Sequence, residues 1–337
     1  WLIGITMSLD FPTTPNAYDS SSNGDFDLFL VNLAANTGWI LYSTYIGGST
    51  DDMASDLLLD SNEDIWIAGY TYSTDFPLTP NATDNTGVSN EGVLFKINHL
   101  TGNLSFSTYL GGGGYDSIYS IAMDSANNLW LTGYTSSNTF PTTPDAINGS
   151  RNGYDDAFIV QFSPFNGSIL YSTFLGGTDD DLGHSIVVDL WDNIWIGGRT
   201  DSIDFPTTPD ALNTTPLQYD DDFFVLGLAK NGSTLLYSTF LRGDDTEYFP
   251  SMVIDSDQNL WFTGANESTD FPVTKNSYNS SHSGGYDVVI LSLAIHSIPT
   301  DPLHLTAYGI ILESLMLIIL YLLKAPYART KTQKKPE

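Results

Sequence analysis

The sequence predicts an all-β protein built from repeated four-stranded antiparallel units, and three observations support this fold class. A tryptophan returns every 64 to 66 residues. Between these tryptophans, short runs of alternating apolar and polar residues are separated by Gly-, Pro- and Asn-rich turns, which is the pattern of strands. Residues 1–297 show no 3.6-residue apolar period, so helices are not predicted there. The copies begin at Trp1, Trp66, Trp130, Trp195 and Trp261.

Each copy contains four predicted strands. The first starts at the tryptophan, as in WLTGYT at 130–135, and ends before a Phe-Pro-Thr-Thr-Pro segment whose prolines cannot continue a ladder. The second follows an acidic residue, as in DAFIV at 156–160, and an Asn-Gly turn leads to the third, LYSTF at 170–174. The fourth, such as SIAMD at 120–124, follows a Gly-Gly loop. It ends in an Asp/Asn turn, which we expect to connect one blade to the next.

A unit of four antiparallel strands in 64 to 66 residues is typical of a β-propeller blade. A β-helix would have a shorter period, and helical repeats would show helical patterning. An array of immunoglobulin-type sandwiches is the main alternative, but its units are nearer to about 100 residues. We therefore predict a β-propeller over residues 1–297, with four complete repeats and one partial repeat.

The strands are unevenly represented, with five first and second strands but only four third and fourth strands. Propellers commonly close by letting strands from the two chain ends complete one blade. We therefore expect upstream sequence to supply the missing strands. The chain also starts on Trp1, in the middle of a repeat and without an initiator Met or signal peptide, which indicates a processed or truncated fragment.

The repeat has a specific motif: WxTGYTxSxDFPTTPxA, then DxFV, then LxYSTYLGGxxxD, then an Asp-x-x-x-Asn-[Leu/Ile]-Trp turn. This motif resembles the SBBP β-propeller repeat of prokaryotic surface proteins. The resemblance implies a propeller at the cell surface, and it implies no catalytic residue because the family is not tied to one activity. Two departures are visible: Arg242 replaces the first Gly of the Gly-Gly pair, and Thr139 replaces an aspartate. The other copies have Asp10, Asp75, Asp204 and Asp270 at the position of Thr139.

The charge of the chain is strongly negative. Residues 1–304 hold 38 Asp and Glu against six Lys and Arg, a formal charge of −32. Such a surface repels nucleic acid and attracts cations or basic partners, so we exclude DNA or RNA binding. The same charge also suits plain solubility, without a specific partner. Cysteine is absent, which excludes disulfides and thiol chemistry.

A membrane anchor is predicted after a linker at 298–304. Residues 305–323 form a stretch of 19 residues with no Pro and one charge, and as a helix it would span about 28 Å. Five Lys and Arg follow within the tail 324–337, so the tail should be cytoplasmic and the propeller outside. Glu313, near the middle of the stretch, either contacts a partner helix or is tolerated as a protonated carboxyl.

An acidic residue recurs after each Gly-Gly loop and is the candidate metal ligand. Arrayed blades would place these carboxylates on one face of the propeller, where they could hold calcium, since hard cations prefer oxygen donors. The favoured interpretation is structural, because a short carboxylate in a turn commonly accepts backbone N–H groups. These residues are Asp52, Asp116, Asp181 and Glu247.

Two further acidic series are interpreted as turn residues, mainly as Asx-turns. The first ends the fourth strand, at Asp60, Asp124, Asp189 and Asp255. The second precedes the second strand, at Asp27, Glu91, Asp156, Asp221 and Asp287.

Eight N-x-S/T sequons fall mostly in predicted loops, where a secreted domain could carry glycans. They are Asn81, Asn103, Asn148, Asn166, Asn213, Asn231, Asn266 and Asn279.

No catalytic motif is present, and the histidines occupy unmatched positions in the repeat. Metal-binding pairs such as HExxH, nucleophile elbows and P-loops are absent, and the arginines before residue 305 (Arg151, Arg199, Arg242) are at non-equivalent positions. We therefore expect a non-enzymatic surface-binding or adhesion module for a glycan or protein ligand. A structural envelope scaffold is the alternative, and a glycan-acting hydrolase or lyase is a third. Convergent, non-repeated polar residues would favour an enzyme, whereas uniform blades would favour a scaffold.

Overall fold

A computed structural model describes residues 1–216, 221–245, 247–274, 277–279, 281–282 and 284–295. This part of the chain contains 18 strands and no α-helix, as the strand pattern predicts. The strands are β1 (Leu2–Thr6), β2 (Asp27–Leu33), β3 (Ile40–Ile46), β4 (Asp52–Leu59), β5 (Ile65–Thr71), β6 (Glu91–Ile97), β7 (Leu104–Leu110), β8 (Asp116–Met123), β9 (Leu129–Thr135), β10 (Asp156–Ser163), β11 (Ser168–Leu175), β12 (Asp181–Val188), β13 (Ile194–Thr200), β14 (Asp222–Leu228), β15 (Leu235–Leu241), β16 (Glu247–Ile254), β17 (Asn259–Asn266) and β18 (Asp287–Ala294).

The strands form five antiparallel sheets in chain order, each a blade of a propeller. Three sheets have four strands (β4–β7, β8–β11 and β12–β15), and β1–β3 and β16–β18 form three-stranded sheets. Each complete blade thus combines the fourth strand of one sequence copy with the first three strands of the next. The Asp/Asn turn therefore lies inside a blade, where β8 pairs with β9, and the Gly-Gly loop connects blades. Our prediction that the Asp/Asn turn connects blades was wrong.

The strands β4, β8, β12 and β16 are the inner strands, since they pack against one another across blades. Hydrogen bonds join equivalent positions along these strands. Ser120 donates its hydroxyl to Asp56 Oδ2 (2.9 Å) and accepts the N–H of Ile186 (3.2 Å), and Ser185 Oγ accepts the N–H of Met252 (3.2 Å). The inner strands therefore run parallel to one another, so equivalent ends of all blades lie on the same side of the propeller.

The hydrophobic core lies between neighbouring blades, and the repeated tryptophan belongs to it. Each of the four buried clusters joins side chains from two consecutive sheets. Trp130, for example, is fully buried and packs with Ile194 and Phe224 of the next blade. Trp66 and Trp195 are buried in the same way. The tryptophan therefore serves packing between blades, as its recurrence in every copy predicts.

The Phe-Pro-Thr-Thr-Pro segments cover the outer edge of each of the first four blades. In the third blade, the N–H of Thr143 donates to Ser172 O (3.0 Å), and the Thr143 hydroxyl accepts the N–H of Ser172 (3.1 Å). Five residues later, Asn148 O accepts the N–H of Phe174 (3.0 Å). Equivalent bonds hold the segments 11–19, 76–84 and 205–213. We call these four stretches the straps; they occupy edge groups of β3, β7, β11 and β15 that would otherwise be unpaired.

The two ends of the propeller have different connections. The loop end is defined by the Gly-Gly loops and by the first residues of the inner strands, Asp52, Asp116, Asp181 and Glu247. The turn end is defined by the hairpins within blades, including the Asp/Asn turns.

The turn end confirms the Asx-turn prediction. Asp124 Oδ1 accepts the N–H groups of Ala126 (3.0 Å) and Asn128 (2.8 Å), and its Oδ2 accepts the indole N–H of Trp130 (3.2 Å). Asn127 has a φ of 63°, a left-handed conformation that Asn tolerates well. Asp60, Asp189 and Asp255 accept the same pair of backbone N–H groups.

The membrane segment predicted at 305–323, with Glu313 and the tail 324–337, lies outside the described residues, as does the linker 298–304. Within the described ranges no helix is long and apolar enough to cross a bilayer.

Candidate functional site at the loop end

The recurrent carboxylates predicted as metal ligands do lie at one end of the propeller, one at each junction between blades. Asp116 is fully buried at the start of β8 and accepts the N–H of Gly112 (2.8 Å) and the hydroxyls of Ser137 (2.7 Å) and Thr135. Asp52 and Asp181 accept the equivalent Gly N–H groups at 2.7 Å, and Glu247 accepts that of Gly243 at 2.9 Å.

Each of these carboxylates therefore has a structural role, as the favoured interpretation predicts. Each accepts hydrogen bonds from donors of its own junction. In the described part of the chain, no three His, Cys, Asp or Glu side chains form a group that could hold a metal. Calcium binding by Asp52, Asp116, Asp181 and Glu247 remains a prediction from the sequence.

A second buried acid lies across each junction, at the start of the second strand. Asp27 pairs in this way with Asp52, and a Cβ added to Gly47 between them would lie 2.5 Å from Asp52 Oδ2 and 2.7 Å from Asp27 Oδ1. The glycine is therefore required by the two carboxylates that flank it. The other pairs are Glu91 with Asp116, Asp156 with Asp181, and Asp222 with Glu247. In the fourth copy the strand begins at Asp222, so Asp221 is not the equivalent of the other predicted turn acids.

Burial dominates the titration of these pairs. It raises the pKa of Asp52 to about 6 and the pKa values of Glu91, Asp181 and Glu247 to about 7, against the hydrogen bonds that favour their charged forms. Burial likewise raises the pKa values of Asp116 and Asp156. Near neutral pH the junctions therefore bind protons that an unfolded chain would release.

The fourth junction departs from this pattern. Arg242 replaces the first Gly, and its guanidinium donates to Thr215 O (2.7 Å) and Gly243 O (3.0 Å). Its Nε also lies 3.7 Å from Asp222 Oδ1. This junction also has Glu247 where the other three have a shorter aspartate. The substitution of Gly by Arg therefore places a positive charge at the position that a glycine holds in the other three junctions.

A set of non-repeated side chains meets near the start of the inner strands of the third, fourth and fifth blades. His184 on β12 stacks on Tyr119 of β8 (centroids 5.6 Å apart, planes at 9°) and makes an edge contact with Tyr248 of β16 (5.4 Å). Tyr119 also contacts Tyr134 of β9 (5.5 Å). Burial, helped by the charge of Arg199, lowers the pKa of His184 to about 4, so its imidazole is neutral at physiological pH. Three consecutive inner strands therefore present a continuous aromatic surface.

Charged residues continue this surface in the fourth blade. Arg199 on β13 occupies the position that Tyr70 and Tyr134 hold in other blades, and its Nη1 donates to Asp221 Oδ2 (2.7 Å). Burial and the neighbouring Asp221 carboxylate raise the pKa of Asp201 to about 7. One carboxyl group of this pair is thus partly protonated at neutral pH, while the other is paired with Arg199.

A cavity of about 330 Å³ opens beside these charges, between the fourth and fifth blades. Its lining combines Asp221 and Glu247 with Tyr248, Ala265 and Tyr286. A second cavity of about 550 Å³ lies at the same end between the first two blades, and its lining includes Asp25, Asp51 and Tyr72. Both cavities open at the loop end. We call the set Tyr119, His184, Arg199, Asp201, Asp221 and Tyr248 the loop-end cluster.

The sequence contained a signal for this cluster. His184 and the arginines were noted as residues at unmatched repeat positions, but their proximity was not predicted. Aligning the copies strand by strand would have found it, because Arg199 replaces a tyrosine and His184 stands where β8 has Tyr119. Residues that break a repeat at one end of a propeller are brought together there by the fold.

The predicted glycosylation sequons differ in accessibility. Asn266 is buried at the end of β17, where its side-chain N–H donates to Ser268 O (2.9 Å), so it cannot accept a glycan in the folded chain. Asn266 is the exception to the loop positions, since it is the last residue of the tryptophan strand β17. Exposed positions are Asn81, Asn103, Asn166, Asn231 and Asn279, and Asn148 and Asn213 are half-buried on the straps.

The four-stranded antiparallel blades, arranged side by side around inner strands, define a protein of the β-propeller class. More specifically, the family model of the SBBP beta-propeller repeat matches residues 41–77 and 106–141. Each matched segment covers a Gly-Gly junction, an inner strand, an Asx-turn and a tryptophan strand. The resemblance inferred from the repeat motif is therefore confirmed over these segments.

Solved structures similar to this chain include a Dos1 propeller (10% identity, TM-score 0.34, covering 70% of this chain and 60% of that chain). A glucose dehydrogenase has 10% identity and a TM-score of 0.31, over 75% of this chain and 92% of that chain. A GH43_12 protein retrieved from a capybara gut metagenome has 11% identity and a TM-score of 0.34, over 86% and 56%. The chain thus spans 60% of the length of that Dos1 propeller. No curated protein sequence matches the chain.

Proposed function

We propose that the chain is a membrane-anchored extracellular β-propeller that acts as a cell-surface binding or adhesion module, with its ligand held at the loop end. The observation that carries this proposal is the loop-end cluster. Side chains that serve the blade recur in every copy, as the junction carboxylates do. The cluster does not recur, so its residues are not explained by the needs of the repeat.

The chemistry of the cluster suits a glycan or a polar peptide. Aromatic faces on Tyr119, His184 and Tyr248 offer stacking surfaces for sugar rings or side chains. Arg199 supplies hydrogen-bond donors, and the Asp201 and Asp221 carboxyl groups supply acceptors. A pocket with apolar walls and a few polar groups is the usual form of a ligand site.

The proposed location rests on the sequence. The apolar segment 305–323 and the basic tail 324–337 favour a single span with the propeller outside. The resemblance to a family of prokaryotic surface proteins supports the same location. The negative charge of residues 1–304 keeps nucleic acid away from the propeller.

The test is a binding screen of the full chain in nanodiscs against a glycan array and intact cells, with and without calcium. Arg199→Tyr restores the residue that Tyr70 and Tyr134 hold, so it should fold, and we expect it to weaken binding at least about tenfold, as loss of a charged hydrogen-bond donor would. Lys230→Ala removes one exposed positive charge at the turn end and should leave binding unchanged. Absence of binding in both calcium conditions would contradict the proposal and favour the structural scaffold.

A second candidate function, glycan hydrolysis, is favoured by the carboxyl pair alone. A carboxyl group with a raised pKa, Asp201, beside a second carboxyl group, Asp221, that pairs with Arg199 is the arrangement that a general acid and its partner require. The same glycan array, assayed for cleavage products, tests this function. Cleavage that Asp201→Asn abolishes would support it, whereas intact glycans after incubation with the wild-type chain would exclude it for the glycans tested.

A further inference from the structure

Two of the seven tryptophans lie outside the repeat positions, and both are exposed at the turn end. Trp39 lies in the β2–β3 turn with 75% of its surface exposed, and Trp191 lies in the β12–β13 turn with 50% exposed. By contrast, the repeat tryptophans Trp66, Trp130 and Trp195 are buried. Exposed tryptophan is costly in water but favoured at the interface of a lipid bilayer, where the ring is apolar and the indole N–H remains hydrated.

The blades between these two tryptophans present apolar side chains at the same end. Leu100 is 79% exposed at the tip of the β6–β7 turn, and Phe165 is 78% exposed at the tip of the β10–β11 turn. Each of the first four blades therefore has a large apolar side chain at its turn end. Hydrogen bonds join neighbouring blades at this end: the Tyr42 hydroxyl of the first blade donates to Gly102 O in the turn of Leu100 (2.9 Å), and the Ser125 N–H of the third blade donates to Asp192 Oδ1 in the turn of Trp191 (2.8 Å).

The described chain also leaves the propeller at the turn end. In the last blade Ala294 of β18 is opposite Asn259, the first residue of β17 after its Asx-turn. Nine residues, 296–304, separate Ile295 from the predicted membrane segment 305–323. Even fully extended, nine residues reach only about 30 Å. A bilayer-spanning segment would therefore keep the turn end close to the membrane surface.

We propose that the turn end docks on the membrane, with Trp39, Leu100, Phe165 and Trp191 in the headgroup region and the loop-end cluster facing away from the cell. This inference rests on the membrane anchorage in the proposed function. Glu63, Asp192 and Asp257 are also at the turn end, so the surface should prefer zwitterionic phosphatidylcholine to anionic lipid.

The absence of cysteine makes the test direct, because a single introduced cysteine is the only labelling site. The full chain would be reconstituted in phosphatidylcholine nanodiscs that contain a headgroup-region nitroxide lipid, with an environment-sensitive fluorophore on Leu100→Cys or Phe165→Cys. Tyr154→Cys is the matched control, since Tyr154 is 79% exposed at the loop end. We expect a blue shift and quenching of both turn-end labels, no change at the control, and weaker quenching when phosphatidylserine is added.

The other outcomes distinguish a failure of membrane docking from a failure of the proposed membrane anchorage. If the chain enters nanodiscs but the turn-end labels stay bright, the anchorage stands and the docking is wrong. If the Tyr154→Cys label alone is quenched, the loop end and not the turn end faces the membrane, and the docking is wrong. If the turn-end labels shift with protein concentration but not with nitroxide, the turn end contacts another copy of the chain, and the docking is again wrong. If the chain stays out of nanodiscs altogether, both the anchorage and the docking are wrong.

Discussion

The inner strand β8 has a repeated aspartate at each end, and the two residues behave differently. Asp116, at the loop end, is fully buried, and burial raises its pKa despite hydrogen bonds from Gly112, Thr135 and Ser137. Asp124, at the turn end, is half-buried and accepts turn N–H groups together with the Trp130 indole. Both positions carry an acidic residue in four copies, so recurrence alone does not distinguish them.

The comparison extends to titration. At the turn end, hydrogen bonds from Trp261 and Asn259 outweigh the effect of burial and lower the pKa of Asp255. At the loop end, burial outweighs the hydrogen bonds and raises the pKa of Asp181 to about 7. The balance between desolvation and hydrogen bonding, not the residue type, decides whether a repeated aspartate favours its charged or its neutral form.

The largest effect should come from removing a buried junction carboxylate. Asp116→Ala leaves the N–H of Gly112 and two hydroxyls without their acceptor in a buried site, which should lower the free energy of unfolding by about 3–5 kcal/mol. Urea unfolding monitored by circular dichroism measures this loss of stability. Asp116→Asn, which keeps a side-chain acceptor, should lose less than half as much. Equal losses in the two variants would show that one side-chain acceptor is not enough and that both carboxyl oxygens of Asp116 are required.

The second effect is a pH dependence of stability. Because the folded pKa of Asp181 is about 7 and its ordinary value is 3.8, the folded chain retains a proton that the unfolded chain loses between those values. Stability should therefore fall as pH rises from about 4 to 7, and Asp181→Asn should reduce that fall by roughly 2–4 kcal/mol.

The turn end supplies the control for this pH dependence. Asp255→Asn should leave the fall between about pH 4 and 7 intact, since the lowered pKa of Asp255 confines its contribution to more acidic solutions. Thermal unfolding across this pH range measures both variants. A wild-type stability that is flat or rises over the range would contradict the buried, protonated junctions.

The smallest effect is expected at the turn end. Asp124→Ala removes the acceptor for Ala126, Asn128 and Trp130, but water can reach this half-buried turn and replace part of those bonds. We expect a loss of about 1–2 kcal/mol, measured by the same urea unfolding. A loss as large as that of Asp116→Ala would remove the distinction between the two ends.

Much of the fold was predictable because the repeat carries it. The count of 18 strands, the antiparallel order and the Asx-turns follow from recurring tryptophans, Asn-Gly turns and aspartates whose local chemistry is visible in the sequence. The boundary between blades could not be predicted from the sequence, because both the Gly-Gly loop and the Asp/Asn turn are short turns between strands. Only pairing shows that β8 belongs with β9 and not with β7.

The candidate site was less predictable, because it depends on contacts between copies. The repeat explains why Asp116 recurs, but nothing local to His184 indicates that it stacks on Tyr119, 65 positions earlier. The straps were missed for a similar reason. The prolines of each Phe-Pro-Thr-Thr-Pro segment correctly predicted the end of a strand, yet the pairing of Thr143 with Ser172 depends on a later strand folding back against it.

The straps decide from which directions the molecule can be approached. A partner that recognises main chain by adding a strand needs a free row of N–H and C=O groups, and the Thr and Asx residues of the straps already occupy such groups on the outermost strands. The edges that the straps cover are protected in this sense, so two copies of the chain can touch there without joining into a continuous sheet. Recognition by strand addition is thereby disfavoured at these four edges.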